Sequence, residues 1–153
     1  MNTETRSKVF ISYGHDEEAI ITVAKFVENL GLKATILGEQ PNNGLTAIEN
    51  LEKYADDTEF AIALLTPDDV GALKDEAGRQ LNPRARQNVI FELGYCIGKL
   101  NPNRVCLLYK VGVELPSYIP DVVYVAMDSA NGWKLKLGQE MQNAGLPVDL
   151  NKL

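Results

Sequence analysis

The chain has 153 residues, 45% hydrophobic and 24% charged, with a net charge of −6 and a pI near 4.8. That is the size and composition of one globular domain, large enough to bury a core without disulfides or metal. The acidic balance and the lack of a Lys/Arg cluster argue against direct nucleic-acid binding. Cys96 and Cys106 fall outside any CxxC spacing, and His15 is the single histidine, so no zinc site is expected. Both cysteines sit in apolar contexts and read as buried thiols of a reducing compartment, which points to the cytoplasm. Residues 1–7 read as a polar, flexible leader without an apolar signal core. No apolar run approaches the roughly 20 residues that span a membrane.

Short apolar runs alternate with longer helical patterns. Val9–Tyr13 reads as a strand ending at Gly14. Asp16 then caps a helix running to about Leu30, with Ile20, Val23, Ala24, Val27 and Leu30 as its inward stripe and Gly31 as its stop. Ala34–Leu37 is a second strand. A loop rich in turn formers follows (Gly38, Pro41, Asn42, Asn43, Gly44), and Thr46 with Glu49 forms a capping box for a helix to about Ala55. Phe60–Leu65 is a third strand, apolar on both faces, as in a parallel sheet covered by helices.

A polar segment, Thr66 to Leu81, comes next. Asn82 and Pro83 read as the cap and first residue of a helix to about Leu100. Val105–Tyr109 and Val122–Met127 are the fourth and fifth strands, and a last helix runs from about Asn131 to Ala144. There is no repeat, low-complexity tract or internal boundary, so residues 1–153 read as a single domain. Strand–helix alternation implies right-handed crossovers and an open parallel sheet. With the order 2-1-3-4-5, the ligand crevice lies outside the carboxyl ends of strands one and three. The loops there are Tyr13-Gly14-His15, Gly38–Gly44 and Thr66–Asp69.

One acid is oddly placed. Glu92 stands in the run Val89-Ile90-Phe91-Glu92-Leu93, where a buried, unpaired carboxylate would be costly. At about 100° per residue, Val89, Ile90, Leu93, Cys96, Ile97 and Leu100 form one inward stripe. Glu92 lies roughly 90–100° from its centre, on a flank shared with Asn88, Tyr95 and Lys99. That makes it a boundary residue. Two readings remain open on geometry alone: a solvated glutamate paired with a cation such as Lys99, or a carboxylate held in a site. With Pro83 first in the helix, the helix dipole hardly acts on it. Phe91 and Tyr95 either pack under the Thr66–Leu81 segment or form a partner or ligand surface. Gly94 and Gly98 weaken the helix, and close approach of a neighbouring element is one reason to expect them there.

Five motifs in order carry a resemblance over nearly the whole chain. They are Val9-Phe10-Ile11-Ser12-Tyr13-Gly14-His15-Asp16, Leu37 through Gly44, Leu65-Thr66-Pro67-Asp68-Asp69, Asn82 through Gly94, and Gly132-Trp133-Lys134-Leu135. Together they resemble a bacterial TIR-like family of anti-phage effectors that sense cyclic nucleotides, such as the TIR–STING fusions. The resemblance implies a flavodoxin-like three-layer α/β sandwich with a five-stranded parallel sheet. It implies hydrolysis of NAD+, as substrate and without a cofactor, at the nicotinamide–ribose bond. Glu92, in Phe91-Glu92-Leu93-Gly94, matches the family's catalytic glutamate. It also implies activation by self-association into an oligomer or filament, and a C-terminal sensor in longer relatives.

The remaining site expectations come from position. Ser12, Tyr13 and Gly14 would form a pocket floor, and Glu39, Pro41 and Asn42 a lid or a packing surface in TIR-like assemblies. Arg86 and Asn88 would orient the carboxylate or meet a phosphate, and Asp68 would bind ribose hydroxyls. For each, a turn former, cap or solvated residue is the plain alternative. His15 reads as a loop residue and Trp133 as a helix anchor. Tyr118 stands where relatives are expected to carry an acid. Two other functions stay in view: a deoxyribosyltransferase-like enzyme, which shares this architecture and a glutamate, and a non-catalytic TIR-type scaffold.

Overall fold

The first strand carries its apolar residues on both faces, and that pattern decides the architecture around it. In β1 (Lys8–Ser12), Val9 and Ile11 point to one side of the sheet and Phe10 and Ser12 to the other, as the two-residue period requires. All of Val9, Phe10 and Ile11 are fully buried, so helices must cover both sides. The computed structural model describes residues 6–40, 42–76, 80–117, 119 and 121–153.

Helix α1 (Glu17–Asn29) follows β1 and is capped by Asp16, whose carboxylate accepts from the Ala19 amide at 2.9 Å. Gly31, at φ +82°, ends it in the left-handed conformation that glycine adopts at little cost. Strand β2 (Lys33–Ile36) stops one residue short of Leu37, which opens a 3-10 turn over Leu37–Glu39. The Thr46/Glu49 capping box is formed and starts α2 (Ala47–Asp56). Strand β3 (Thr58–Leu65) is the central strand.

The segment after β3 departs from the expected order. Asp69–Gly71 (β4) pairs antiparallel with Asn82–Arg84 (β5) in a separate two-stranded ribbon, with a 3-10 turn at Lys74–Glu76 between them. Asn82 and Pro83 are therefore strand residues, not a helix cap and first turn. Pro83 lacks an N–H to give, but its carbonyl accepts from the Glu114 amide at 2.7 Å. Arg84 fixes the ribbon further by a two-pronged ion pair with Glu114. Helix α3 starts at Gln87, with Arg86 at its N-cap, and runs to Leu100. This later start makes Glu92 its sixth residue, in the second turn, nearer the helix N-terminus than expected but still beyond the first turn, where the dipole acts most.

Strands β6 (Val105–Tyr109) and β7 (Val123–Ala126) complete the main sheet, and α4 (Gly132–Asn143) closes the chain's last turn of the wind. The main sheet is wholly parallel with order β2-β1-β3-β6-β7, which is the expected 2-1-3-4-5 once the ribbon strands are counted. One face packs α1 and α4 and includes Trp133, 1% exposed, edge-on to Phe26 at 5.1 Å. The other face packs α3 with Leu51 and Ala55 of α2 close by. Trp133 is thus a helix anchor. Asp128 holds the start of α4 by accepting from the amides of Gly132 and Trp133 at 2.9 and 2.8 Å. Among the described residues, no helix is long and apolar enough to cross a membrane. Residues 1–5, Pro41 and Tyr118, which figured in the expectations above, lie outside the described residues.

Candidate active site

Glu92 is reached from the sheet. Ser12 is the last residue of β1 and shares Phe10's parity, so its side chain turns toward α3. It is 3% exposed, and its hydroxyl donates to Glu92 Oε2. Opposite Ser12 in the register stands Ala63 of β3, with Ala61 two residues before it on the same face. These short side chains leave space between sheet and helix that the glutamate fills. Ser12, Ala61, Ala63, Glu92 and Cys96 line a narrow void there with no room for a water molecule. Glu92 is half-buried, and desolvation pushes its carboxyl above the ordinary glutamate range, against the pull of the Ser12 hydroxyl. Among the described residues, no hydrogen bond reaches its other oxygen, Oε1.

The solvated-glutamate reading fails on this geometry. Lys99, its expected partner, pairs instead with Asp56 of α2 at 2.6 Å. The helix stripe is narrower than expected: Val89, Leu93, Cys96 and Leu100 are buried, while Ile90 is 37% exposed and Ile97 half-buried. Phe91 does not pack under the preceding segment, since it is 57% exposed. Tyr95 does pack, half-buried, against the core on the α3 face. A Cβ at Gly94 or Gly98 would meet nothing within 4 Å, so close approach does not explain either glycine.

A second cluster closes the mouth of the crevice. Asp68 Oδ2 accepts from Thr66 Oγ1 at 2.6 Å and from the His15 amide at 3.1 Å. Gly14 is required by this contact: a Cβ there would overlap Asp68 Oδ2 and lie 3.2 Å from Arg86 Cγ. Arg86 donates to Nε2 of the His15 ring. Three loops, after β1, after β3 and before α3, are tied together by these bonds. Arg86 therefore contacts His15 and not Glu92, and no carboxylate pairs with it among the described residues. Tyr13 turns to the opposite face of the sheet, where its hydroxyl donates to Glu17 at 3.2 Å. Burial and the nearby Glu17 and Glu39 carboxylates push that phenol above its ordinary value. Glu39, Asn42 and Asn88 are exposed, and Asn42 accepts from the Asn50 side chain at 3.0 Å.

Thr66, 1% exposed, was not foreseen as a participant. The signal was the Thr-Pro-Asp spacing, which here forms a tight turn with the Asp68 amide on the Thr66 carbonyl at 2.8 Å. A groove of about 460 Å³ lies elsewhere. It runs between β4, β5, the start of α3 and the Glu114–Ser117 segment, and its lining does not include Glu92. Among the described residues, no group of three His, Cys, Asp or Glu side chains is arranged to hold a metal ion.

The model of the family described as CAP12/Pycsar effector protein, TIR domain, matches residues 8–129, which span both clusters. The chain is 46% identical over 146 residues to the uncharacterized protein YuaY of Escherichia coli strain K12, covering 95% of this chain and 48% of that protein. It is 39% identical to Protein tirC of Dictyostelium discoideum, covering 67% and 52% of the two chains. It is 33% identical to the Pycsar effector protein PaPycTIR of Pseudomonas aeruginosa, covering 70% and 32%. The chain thus spans about half the length, or less, of these curated relatives. Among solved structures, the CMP N-glycosidase BcmB of Clostridium botulinum shares the fold, with a TM-score of 0.52 at 13% identity over 87% of this chain and 99% of that one.

Proposed function

Starting from the finding that the chain belongs to the TIR-domain family of the CAP12/Pycsar effector proteins, we propose that it is an NAD+ glycohydrolase that cleaves the nicotinamide–ribose bond. The observation that carries this reading is Glu92: a half-buried carboxylate at the carboxyl end of β1, held by one hydroxyl and with one oxygen unengaged.

The chemistry suits a single carboxylate. Nicotinamide leaves NAD+ as a neutral molecule, so no general acid is needed to protonate it. As the bond breaks, positive charge develops on the ribose. Glu92, in a partly desolvated setting and with Oε1 unengaged, stabilises that charge more strongly than it would in water. Water then adds to the ribosyl carbon, giving ADP-ribose. The second carboxylate of an ordinary glycosidase has no task here.

The crevice mouth supplies the rest. Arg86, without a carboxylate partner among the described residues, suits the pyrophosphate. Asp68 suits ribose hydroxyls, with Asn88, Gly14 and Glu39 around the rim; Tyr13, on the opposite face of the sheet, is not among them. In this proposal the enzyme works in the cytoplasm as an anti-phage effector, is switched on by self-association, and answers to a sensor in a longer protein. The exposed apolar side chains Phe91, Val70, Leu73 and Leu81 are consistent with an assembling surface. The test is nicotinamide release from NAD+ by the folded protein and by Glu92→Gln. Release by the wild type that falls at least a hundredfold in the variant is expected; equal release by both proteins rejects the assignment of Glu92.

A further inference from the structure

We infer that Ser12 is a positioning residue for Glu92: delivered by the end of β1, its hydroxyl occupies Oε2, fixes the side chain's rotamer, and leaves Oε1 for the substrate. This rests on the proposal that Glu92 is the catalytic carboxylate. It reassigns Ser12 from a pocket-floor residue to one that acts through another.

The geometry leaves Ser12 little else to do. A hydroxyl at 3% exposure needs an acceptor, and Glu92 is the acceptor it has. The parity of β1 and the short Ala61 and Ala63 beside it leave room for Ser12 and Glu92 to meet between sheet and helix. A free glutamate side chain samples several rotamers, and a fixed partner removes that freedom before substrate arrives.

The bond also opposes a cost. Desolvation favours the neutral acid, whereas a hydroxyl donor favours the carboxylate. Only the carboxylate can stabilise a ribosyl cation. The other residues around the void add no charge: Phe10, Ala61, Ala63, Leu93 and Val105 are uncharged, and burial pushes the Cys96 thiol up to about 12, so it stays protonated. Among the described residues that line the void, Ser12 is thus the group that favours the ionised form of Glu92.

The experiment uses the whole chain, with carbon-13 in the glutamate side chains. The Glu92 carboxyl resonance, assigned by its absence in Glu92→Gln, is titrated in the wild type and in Ser12→Ala, Ser12→Gly and Ser12→Thr. The Ala and Gly variants should both titrate at higher pH than the wild type, and Thr, which keeps the hydroxyl, should stay nearer to it. In the release assay, kcat of Ser12→Ala should fall on the order of tenfold on the acid side, with a smaller loss on the alkaline side and little change in KM. An unchanged Glu92 midpoint in both Ala and Gly variants overturns the inference, whatever the activity. If Glu92→Gln is inactive while that midpoint is unchanged, the catalytic reading stands and the role of Ser12 falls. If Glu92→Gln is fully active, the catalytic reading falls, and Ser12 falls with it as a positioning residue.

Discussion

Replacing Glu92 by glutamine should make the protein more stable while it abolishes turnover. The reason is the mismatch between a carboxylate and its setting. Glu92 lies against the sheet with one hydroxyl as its partner, and its carboxyl is pushed above the ordinary range by desolvation. Ionised, it therefore costs the folded state free energy. Glutamine has the same length, carries no charge, and its carbonyl can still accept from Ser12. The gain should be on the order of 1 kcal/mol at neutral pH, within the roughly 0.5–2 kcal/mol of a typical stabilising substitution. For a chain of this length that is about 2–4 °C in Tm.

The pH dependence has a definite sign. A carboxyl whose folded pKa is raised destabilises fully above that pKa, and the cost fades as pH falls through it toward the ordinary value of ~4.3. Thermal melts of both proteins should thus show the largest gap near pH 7–8 and almost none near pH 4. A lower Tm for Glu92→Gln at neutral pH, or a gap that widens on acidification, would refute the reasoning. It would mean that the carboxylate is stabilised by its surroundings and is not held in them at a cost.

Other substitutions probe the scaffold around the site. Gly14→Ala should cost about 1–3 kcal/mol, read as a drop in Tm, because its Cβ meets Asp68; Asp68→Ala in the same chain should recover part of that loss, as a thermal double-mutant cycle can show. Asp128→Ala should cost about 1–2 kcal/mol, since two amides at the start of α4 lose their acceptor. In that case too the loss is measured by thermal or urea unfolding. Cys96 and Cys106, buried and both pushed up to about 12, should resist a disulfide reagent at pH 8 in the folded protein and react fully in denaturant.

The parts of this molecule legible in its sequence are those where local chemistry agrees with the fold. The Asp16 cap, the Thr46/Glu49 capping box and the Gly31 stop are decided within a few residues and occur as read. The five apolar runs follow from periodicity and their parallel arrangement from the strand–helix alternation, whereas the order 2-1-3-4-5, which the sheet shows, was implied by the family resemblance. The β4–β5 ribbon was hidden because its strands are three residues long and polar, and because Asn82-Pro83 carries a genuine helix-start signal. What overrides that signal is distant: Glu114, some thirty residues on, takes both the Pro83 carbonyl and the Arg84 guanidinium.

The site divides in the same way. The helical angles placed Glu92 at a boundary and the family motif singled it out. Ser12 as its partner required knowing that the end of β1 faces α3, a tertiary fact. Arg86 was marked as a site residue, but its contact with His15 depends on how two loops meet, which no local pattern encodes. Lys99 was near enough on the helix surface to be Glu92's partner, but it pairs instead with Asp56 of a neighbouring helix.

The central claim is tested most directly by one measurement: the initial rate of nicotinamide release from NAD+, followed across protein concentration, for the wild type and Glu92→Gln. The account predicts a wild-type rate per molecule that rises with concentration as copies associate, and a variant at least a hundredfold slower at every concentration. Turnover by the variant at the wild-type rate, or no release by folded, associated wild-type protein, contradicts it.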